Sequence, residues 1–406
     1  MNDFVGKNLE DIQEMNRSLI IRFLKNSDVT SRAELAAMSK LKQATITNIV
    51  NDFISWGLVE ETGLISRNKG RRSIGIRLCK EKYKIISVRL SRNYITITVS
   101  DMASNINFSQ QYDVDAKEEL QKTIEFMITK IKKIIESFHS NKILGVGVAM
   151  PGPWVKSKKQ VAYFTGFYKW QDINIADMME KELNLPVYLD EDANIALLAE
   201  CSSLDQVMVN ETILCVMVGQ GIGAGIMSNG MVLRGHMDVA GEIGHMSVCY
   251  NGEKCECGNK GCLEGYASTS AVVKKAREIV DNYPETVLTN KSKFNDILKA
   301  YHLGDILATE VIDESARYLG YALASLTNVL NPGLIIIGDE MSKCGENYLN
   351  QVISSVRDRV SPTIFDSTII KLSTFALDTA VIGAAELVIN ETIMKPTKFI
   401  LCPEEM

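Results

Sequence analysis

The segment Cys255-Glu256-Cys257-Gly258-Asn259-Lys260-Gly261-Cys262, preceded by His245, puts three thiols and one imidazole within 18 positions. Four borderline-soft donors in one Gly-rich, turn-forming stretch match the ligand count and type of a closed tetrahedral zinc site. The expected ligands are His245, Cys255, Cys257 and Cys262, with Cys249 close enough to His245 to be a reserve candidate. Four protein ligands leave no open position, so the Zn2+ is expected to be structural. The remaining cysteines (Cys79, Cys201, Cys215, Cys249, Cys344 and Cys402) are too dispersed for a disulfide framework. They are expected to be buried reduced thiols, which fits a cytoplasmic protein.

At 406 residues the chain is too long for one ordinary core, and two or three domains are expected. No apolar run is long enough to span a bilayer, so no membrane insertion is expected. The net charge of −6 hides an asymmetry: residues 1–80 carry 13 Lys/Arg against 9 Asp/Glu, and the acidic excess lies in the rest. From Glu61 to Glu81 the chain has six basic residues and no acid in between. A short basic module on an acidic body implies a polyanionic partner for that module alone.

The periodicity of that module resolves it further. Residues 14–25 place Leu19, Ile20, Phe23 and Leu24 on one helical face. Thr30 or Ser31 reads as the N-cap of a second, short helix with Glu34 in its first turn. A third helix from Leu41 to Gly57 carries the stripe Ile46, Ile49, Val50, Phe53 and Ile54. Extended segments from Leu58 and over Ser73–Leu78 flank the basic turn Lys69-Gly70-Arg71-Arg72. Three helices and a basic-tipped hairpin make a winged helix-turn-helix over 1–80. Lys42, Gln43, Thr45, Thr47 and Asn48 on the third helix are expected to reach base edges and phosphates of operator DNA in a major groove. Arg71 and Arg72 are expected in a minor groove.

In the remainder, 81–406, Tyr83–Asp101 and Thr212–Gly230 each read as strand, short turn, strand. This repetition predicts two related α/β lobes facing a cleft, an actin-like, hexokinase-type arrangement. Leu120–Ser137 reads as an amphipathic helix and Ile143–Ala149 as a buried strand running into the rigid turn Pro151-Gly152-Pro153. Ala380–Asn390 reads as a closing helix packed through Gly383, Ala384 and Ala385.

Gly241-Glu242-Ile243-Gly244-His245 followed by C-x-C-G-x-x-G-C-L-E resembles the ROK family, which contains sugar kinases and sugar-responsive repressors. The N-terminal Ser31-Arg32-Ala33-Glu34-Leu35-Ala36 and Gly70-Arg71-Arg72 resemble the DNA-binding module of the repressors, a module that the kinases lack. The resemblance implies a zinc loop that holds a sugar pocket together. A kinase would need D-x-G-G-T-K in its first phosphate turn, where this chain has Arg89-Leu90-Ser91-Arg92-Asn93-Tyr94. Side chains there are expected to fill the space the phosphates require. A second glycine turn, Gly219–Gly225, is kept, but Gln220 replaces the kinase Thr. Gly338-Asp339-Glu340 stands where a Gly-Gly pair would approach adenosine.

On the sugar side, Glu191-Asp192-Ala193-Asn194 matches the family's N-D-A-N motif, with Asp192 at the position of the kinase general base. Glu242, His245 and Glu264 fall on the other hydroxyl-binding positions implied by the resemblance. Vicinal hydroxyls suit carboxylates, which accept two hydrogen bonds each. Two departures stand out: Glu191 replaces Asn, and Gly166–Trp170 lacks the Asn of the family's N-L-x-G-W segment. The resemblance implies a repressor without catalytic residues, dimeric or tetrameric because two-fold operators need paired recognition helices. Its effector is a sugar of the xylose or glucose type, or a transport-system protein. The competing expectation is a sugar kinase with an appended DNA module.

Overall fold

A computed structural model describes residues 9–25, 27–65, 73–91, 93–114, 120–138, 142–152, 154–155, 160–161, 174–204, 211–375 and 379–394. The first part contains α1 (Leu9–Lys25), β1 (Thr30–Ser31), α2 (Arg32–Ser39), α3 (Gln43–Ser55), β2 (Val59–Ile65) and β3 (Ser73–Leu78). Ser31 is the N-cap of α2. Its Oγ accepts the Glu34 N–H at 3.2 Å, and Glu34 Oε2 accepts the Ser31 N–H at 2.8 Å. Helix α3 starts two residues later than the apolar period suggests, because Lys42 is extended and serves as its N-cap. Its stripe of Ile46, Ile49, Val50 and Phe53 is buried. The three strands pair antiparallel in the order β1-β3-β2. The basic turn with Arg71 and Arg72 lies outside the described residues.

Two sheets of identical strand order follow. The first contains β4 (Tyr83–Leu90), β5 (Tyr94–Asp101), β6 (Ile106–Asp113), β7 (Lys142–Met150) and β10 (Val187–Glu191), in the order β6-β5-β4-β7-β10. Helices α4 (Leu120–Ser137), α5 (Ile175–Leu183) and α6 (Asp192–Ser202) and the short pair β8 (Trp154–Val155) and β9 (Gln160–Val161) complete this lobe. The second sheet contains β11 (Ile213–Val218), β12 (Ile222–Ser228), β13 (Met231–Val232), β14 (Leu334–Gly338) and β15 (Ile369–Leu372), in the order β13-β12-β11-β14-β15. In both, an antiparallel meander continues into two parallel strands. The two hairpins that look alike in the sequence are therefore equivalent parts of one duplicated topology. All residues of β4 and β11 are buried, as strands covered on both faces must be.

The second lobe carries α7 (Glu264–Ala267), α8 (Thr269–Ile279), α9 (Phe294–His302), α10 (Ile306–Leu330), α11 (Glu346–Arg357) and α12 (Pro362–Phe365). The last helix, α13 (Thr379–Met394), returns to the first lobe. A Cβ added at Gly383 would lie 1.8 Å from the Ile195 carbonyl oxygen, so α13 and α6 pack backbone against backbone. On its other side, α13 contributes Ala385, Val388 and Ile389 to one core with Ile20, Leu24, Leu35, Phe53 and Tyr83. Buried Glu386 ion-pairs with Lys25 of α1 and accepts the Ser104 hydroxyl at 2.7 Å. The core of the N-terminal part therefore runs across residue 80 into the body, a continuity no local pattern announces. No helix among the described residues is long and apolar enough to cross a membrane.

Candidate functional site

The carboxyl ends of β4, β7, β10 and β11 converge on a cavity between the lobes. It is lined by Arg89, Tyr94, Pro151 and Gly152 from the first lobe, Glu191 and Asp192 at the β10–α6 junction, and Gln220–Gly223, Glu242, His245, Glu264, Asp339 and Glu340 from the second. All five residues expected on the sugar side (Glu191, Asp192, Glu242, His245 and Glu264) line this one cavity. Glu264 Oε2 accepts the Ile222 N–H at 3.0 Å, which fixes the first turn of α7 against the glycine loop.

A guanidinium spans the cleft. Arg89, at the end of β4, donates from Nη2 to Asp339 Oδ2 at 2.8 Å and from Nη1 to Asp339 Oδ1 at 3.4 Å. The same Nη2 lies 3.9 Å from Asp192 Oδ2. Asp339 takes φ +67 and ψ −155, a conformation nearly restricted to glycine and costly for any residue with a Cβ. That conformation turns its carboxylate toward the opposite lobe. Gly219 makes room for it, since a Cβ there would lie 2.5 Å from Asp339 Oδ2. Next to it, Glu340 Oε2 accepts the Thr269 hydroxyl at 2.9 Å, and burial followed by the charge of Asp339 holds its carboxyl above the usual carboxylate range. Sequence reasoning found the replaced motifs at 89–94 and 338–340 but not that they pair. The available signal was a complementary swap, a gained cation at one turn and a gained acid at the other.

Asp190 is held from the opposite direction. Its side chain is almost fully buried and receives both Nη groups of Arg234, one at 3.1 Å, as well as the Glu191 N–H at 2.9 Å. Arg234 carries no sequence signal and was missed. Glu191, 4% exposed, has no such guanidinium, and its Oε2 receives no hydrogen bond among the described residues. Burial, then the charges of Glu242, Asp192 and Asp190, push its carboxyl well above the usual range.

On the cavity wall, one ligand atom from each of His245, Cys255, Cys257 and Cys262 lies within 4.8 Å of the others, a cluster that can hold a metal ion. Cys255 Sγ is 3.7 Å from His245 Nδ1, and Cys257 Sγ is 3.7 Å from Cys262 Sγ. The other imidazole nitrogen, Nε2, points to Glu242 at 3.8 Å. Cys249 stands apart from this cluster and faces the Tyr266 hydroxyl instead. Of the dispersed thiols, Cys215 and Cys344 are buried as expected, but Cys79, Cys201 and Cys249 are only half-buried, because each sits at an element edge or in a surface turn. Cys402 and the Gly166–Trp170 segment lie outside the described residues.

On α3, Lys42, Gln43 and Asn48 are exposed, whereas Thr45 and Thr47 are half-buried. The Thr47 hydroxyl donates to the Gln43 carbonyl at 2.9 Å, so its proton is used within the helix.

Comparison with known proteins identifies the family and the fold. The ROK family model matches residues 85–391. The xylose repressor of Caldicellulosiruptor bescii is 28% identical over 392 residues, covering 95% of this chain and 98% of that protein. Among solved structures, a ROK family transcriptional regulator described as a homologue of the E. coli Mlc protein superposes with a TM-score of 0.82 at 24% identity, covering 96% of this chain and 99% of that one. A ROK family glucokinase from Streptomyces griseus, solved with glucose and AMPPNP, superposes with a TM-score of 0.66 at 25% identity, covering 98% of its own chain but 75% of this one.

Proposed function

This chain belongs to the ROK family, and from that premise we propose that it is a sugar-responsive, DNA-binding transcriptional repressor of carbohydrate-metabolism genes, acting in the cytoplasm as a homodimer or homotetramer. The observation that carries the reading is the Arg89–Asp339 clasp. Phosphoryl transfer needs backbone N–H groups and a metal-binding acid around a triphosphate. Here the first phosphate turn presents a guanidinium, locked on the carboxylate of the turn that would approach adenosine, so we assign no kinase activity.

In the cavity beyond the clasp, Asp192, Glu242 and Glu264 accept from vicinal hydroxyls of the sugar. Zinc suits the cluster: four ligands at bonds of about 2.0–2.3 Å in a tetrahedron stand roughly 3.3–3.8 Å apart, the Cys255–His245 and Cys257–Cys262 pairs are each 3.7 Å apart, and all four ligand atoms lie within 4.8 Å of one another. His245 Nδ1 and the three thiolates would hold it, and it would supply a redox-inert cross-link there. His245 then keeps its Nε2 proton toward Glu242, which fixes the imidazole's orientation on the cavity wall.

Residues 1–80 serve as the winged helix-turn-helix module. Lys42, Gln43, Thr45, Thr47 and Asn48 face the major groove, with Arg71 and Arg72 in the wing. Ligand closing the cleft moves α6, which begins at Asp192. Helix α13 rides on α6 and carries α1 with it through Glu386 and Lys25. A sugar that binds one lobe arrangement more tightly than the other thereby shifts the spacing of paired modules away from that of the operator.

The module is tested with a duplex selected by this protein from a random pool. Asn48→Ala is expected to cost about 1–3 kcal/mol and to relax preference at one base pair, and Lys42→Ala to lower the salt slope by about 1. Anisotropy titrations with unchanged affinity and slope for both variants would remove α3 from the interface.

A further inference from the structure

Among the described residues, acidic groups outnumber basic ones around the cavity. Six carboxylates line it (Glu191, Asp192, Glu242, Glu264, Asp339 and Glu340), whereas Arg89 is the single Lys or Arg among its described lining residues. Arg89 is already occupied by Asp339, and Arg234 is committed to Asp190 beneath the cavity. The uncompensated group is Glu191. Its side chain is more than nine-tenths buried, its Oε2 receives no hydrogen bond among the described residues, and its Oε1 lies 3.4 Å from where a Cβ on the cavity-lining Gly223 would stand. The absence of a side chain at Gly223 thus leaves space before Oε1, the other oxygen of the same carboxylate.

A carboxylate taken out of water without a cation is costly unless a ligand or a proton compensates it. A neutral sugar hydroxyl offers one hydrogen bond and no charge. An anionic sugar adds a like charge to an acidic wall. A primary ammonium, close in size to a hydroxyl, offers three donors and the missing charge together.

Building on the sugar-responsive reading above, we propose that the effector is a monosaccharide bearing a free primary amine and that Glu191 is the residue that selects it by holding the ammonium. The same contact keeps the Glu191 carboxyl ionised, against the upward push that burial and the neighbouring acids exert on it.

The test is calorimetry of the full-length protein with matched pairs: D-glucose and D-glucosamine, D-galactose and D-galactosamine, D-mannose and D-mannosamine. Glucose derivatives aminated at the third or sixth carbon and N-acetyl-D-glucosamine, an uncharged amide, complete the set. One aminated sugar is expected to bind about 10- to 100-fold more tightly than its hydroxyl counterpart, the range of a charge-assisted hydrogen bond. In Glu191→Gln and Glu191→Asn, both checked by melting curves, that gap is expected to shrink to about threefold or less. Glu191→Gln is also expected to melt above the wild type in the absence of ligand, because it removes the uncompensated charge. Neutral hexoses binding as tightly as every aminated partner would overturn the proposal while leaving sugar sensing intact. An amine preference that survives both substitutions would overturn the role of Glu191. No heat with any sugar would remove the sugar-sensing reading as well.

Discussion

Arg234→Ala is expected to destabilise the protein by about 3–5 kcal/mol, the cost of leaving one member of a buried ion pair without its partner. Asp190 is 1% exposed, and its two carboxylate oxygens share the two Nη groups of Arg234. With the guanidinium gone, the charge at Asp190 stands next to Glu191, itself a buried acid. Water has little access to either group, and the β10–α6 junction that presents Asp192 loses its anchor. Arg234→Lys is expected to recover only part of the loss, because an ammonium cannot match the paired geometry of the carboxylate. The double variant Arg234→Met with Asp190→Leu is expected to recover part of it, since neither member of the pair then remains as a buried charge while the Glu191 N–H loses its acceptor. Urea unfolding of the four proteins checks this. A single Arg234→Ala variant within about 1 kcal/mol of wild type would show that the pair is solvated and contributes as a surface bridge does.

A comparable effect is expected on removing the metal. The zinc proposed at His245, Cys255, Cys257 and Cys262 would tie the chain at 245 to the turn at 255–262, and both ends touch the cavity: His245 lines it, and Glu264 follows Cys262 by two residues. Cys257→Ser is expected to leave less than about one-tenth of the wild-type zinc content and to weaken sugar binding by about 100-fold, the upper range for losing a group that orients a ligand-binding residue. Cys249→Ser is expected to change neither, because Cys249 faces Tyr266 instead of the cluster. Zinc content measured by mass spectrometry, alongside sugar-induced thermal shifts, reads both effects. A Cys257→Ser protein that keeps its metal or its sugar affinity would contradict the assignment.

Features whose causes are local were legible in the sequence. The metal cluster was set by spacing within one loop, the Ser31–Glu34 cap by a three-residue interval, and the lobe hairpins by apolar runs broken at short turns. Strand β6 was not foreseen, because its side chains alternate weakly and are half-buried or exposed, so no apolar run marks it. Three features lie beyond any window of sequence. Arg89 meets Asp339 across 250 positions, Lys25 meets Glu386 across 361, and Arg234 meets Asp190 across 44. Each is created by the two-lobed fold, which brings segments at strand ends of one lobe against those of the other and lays α13 across the first lobe. The clasp also changes the meaning of a motif. Gly219 is retained in a loop that reads as phosphate-binding, yet in space it accommodates the Asp339 carboxylate.

The central claim is that occupancy of the acidic cavity is communicated to α3 through α6, α13 and α1. Its most direct measurement is the affinity of a fluorescent operator duplex for the full-length protein as sugar is added. The account predicts that a saturating sugar weakens operator binding at least about tenfold, with the operator weakening sugar binding by the same factor, as linkage demands. A sugar that saturates the cavity while operator affinity stays constant would contradict it.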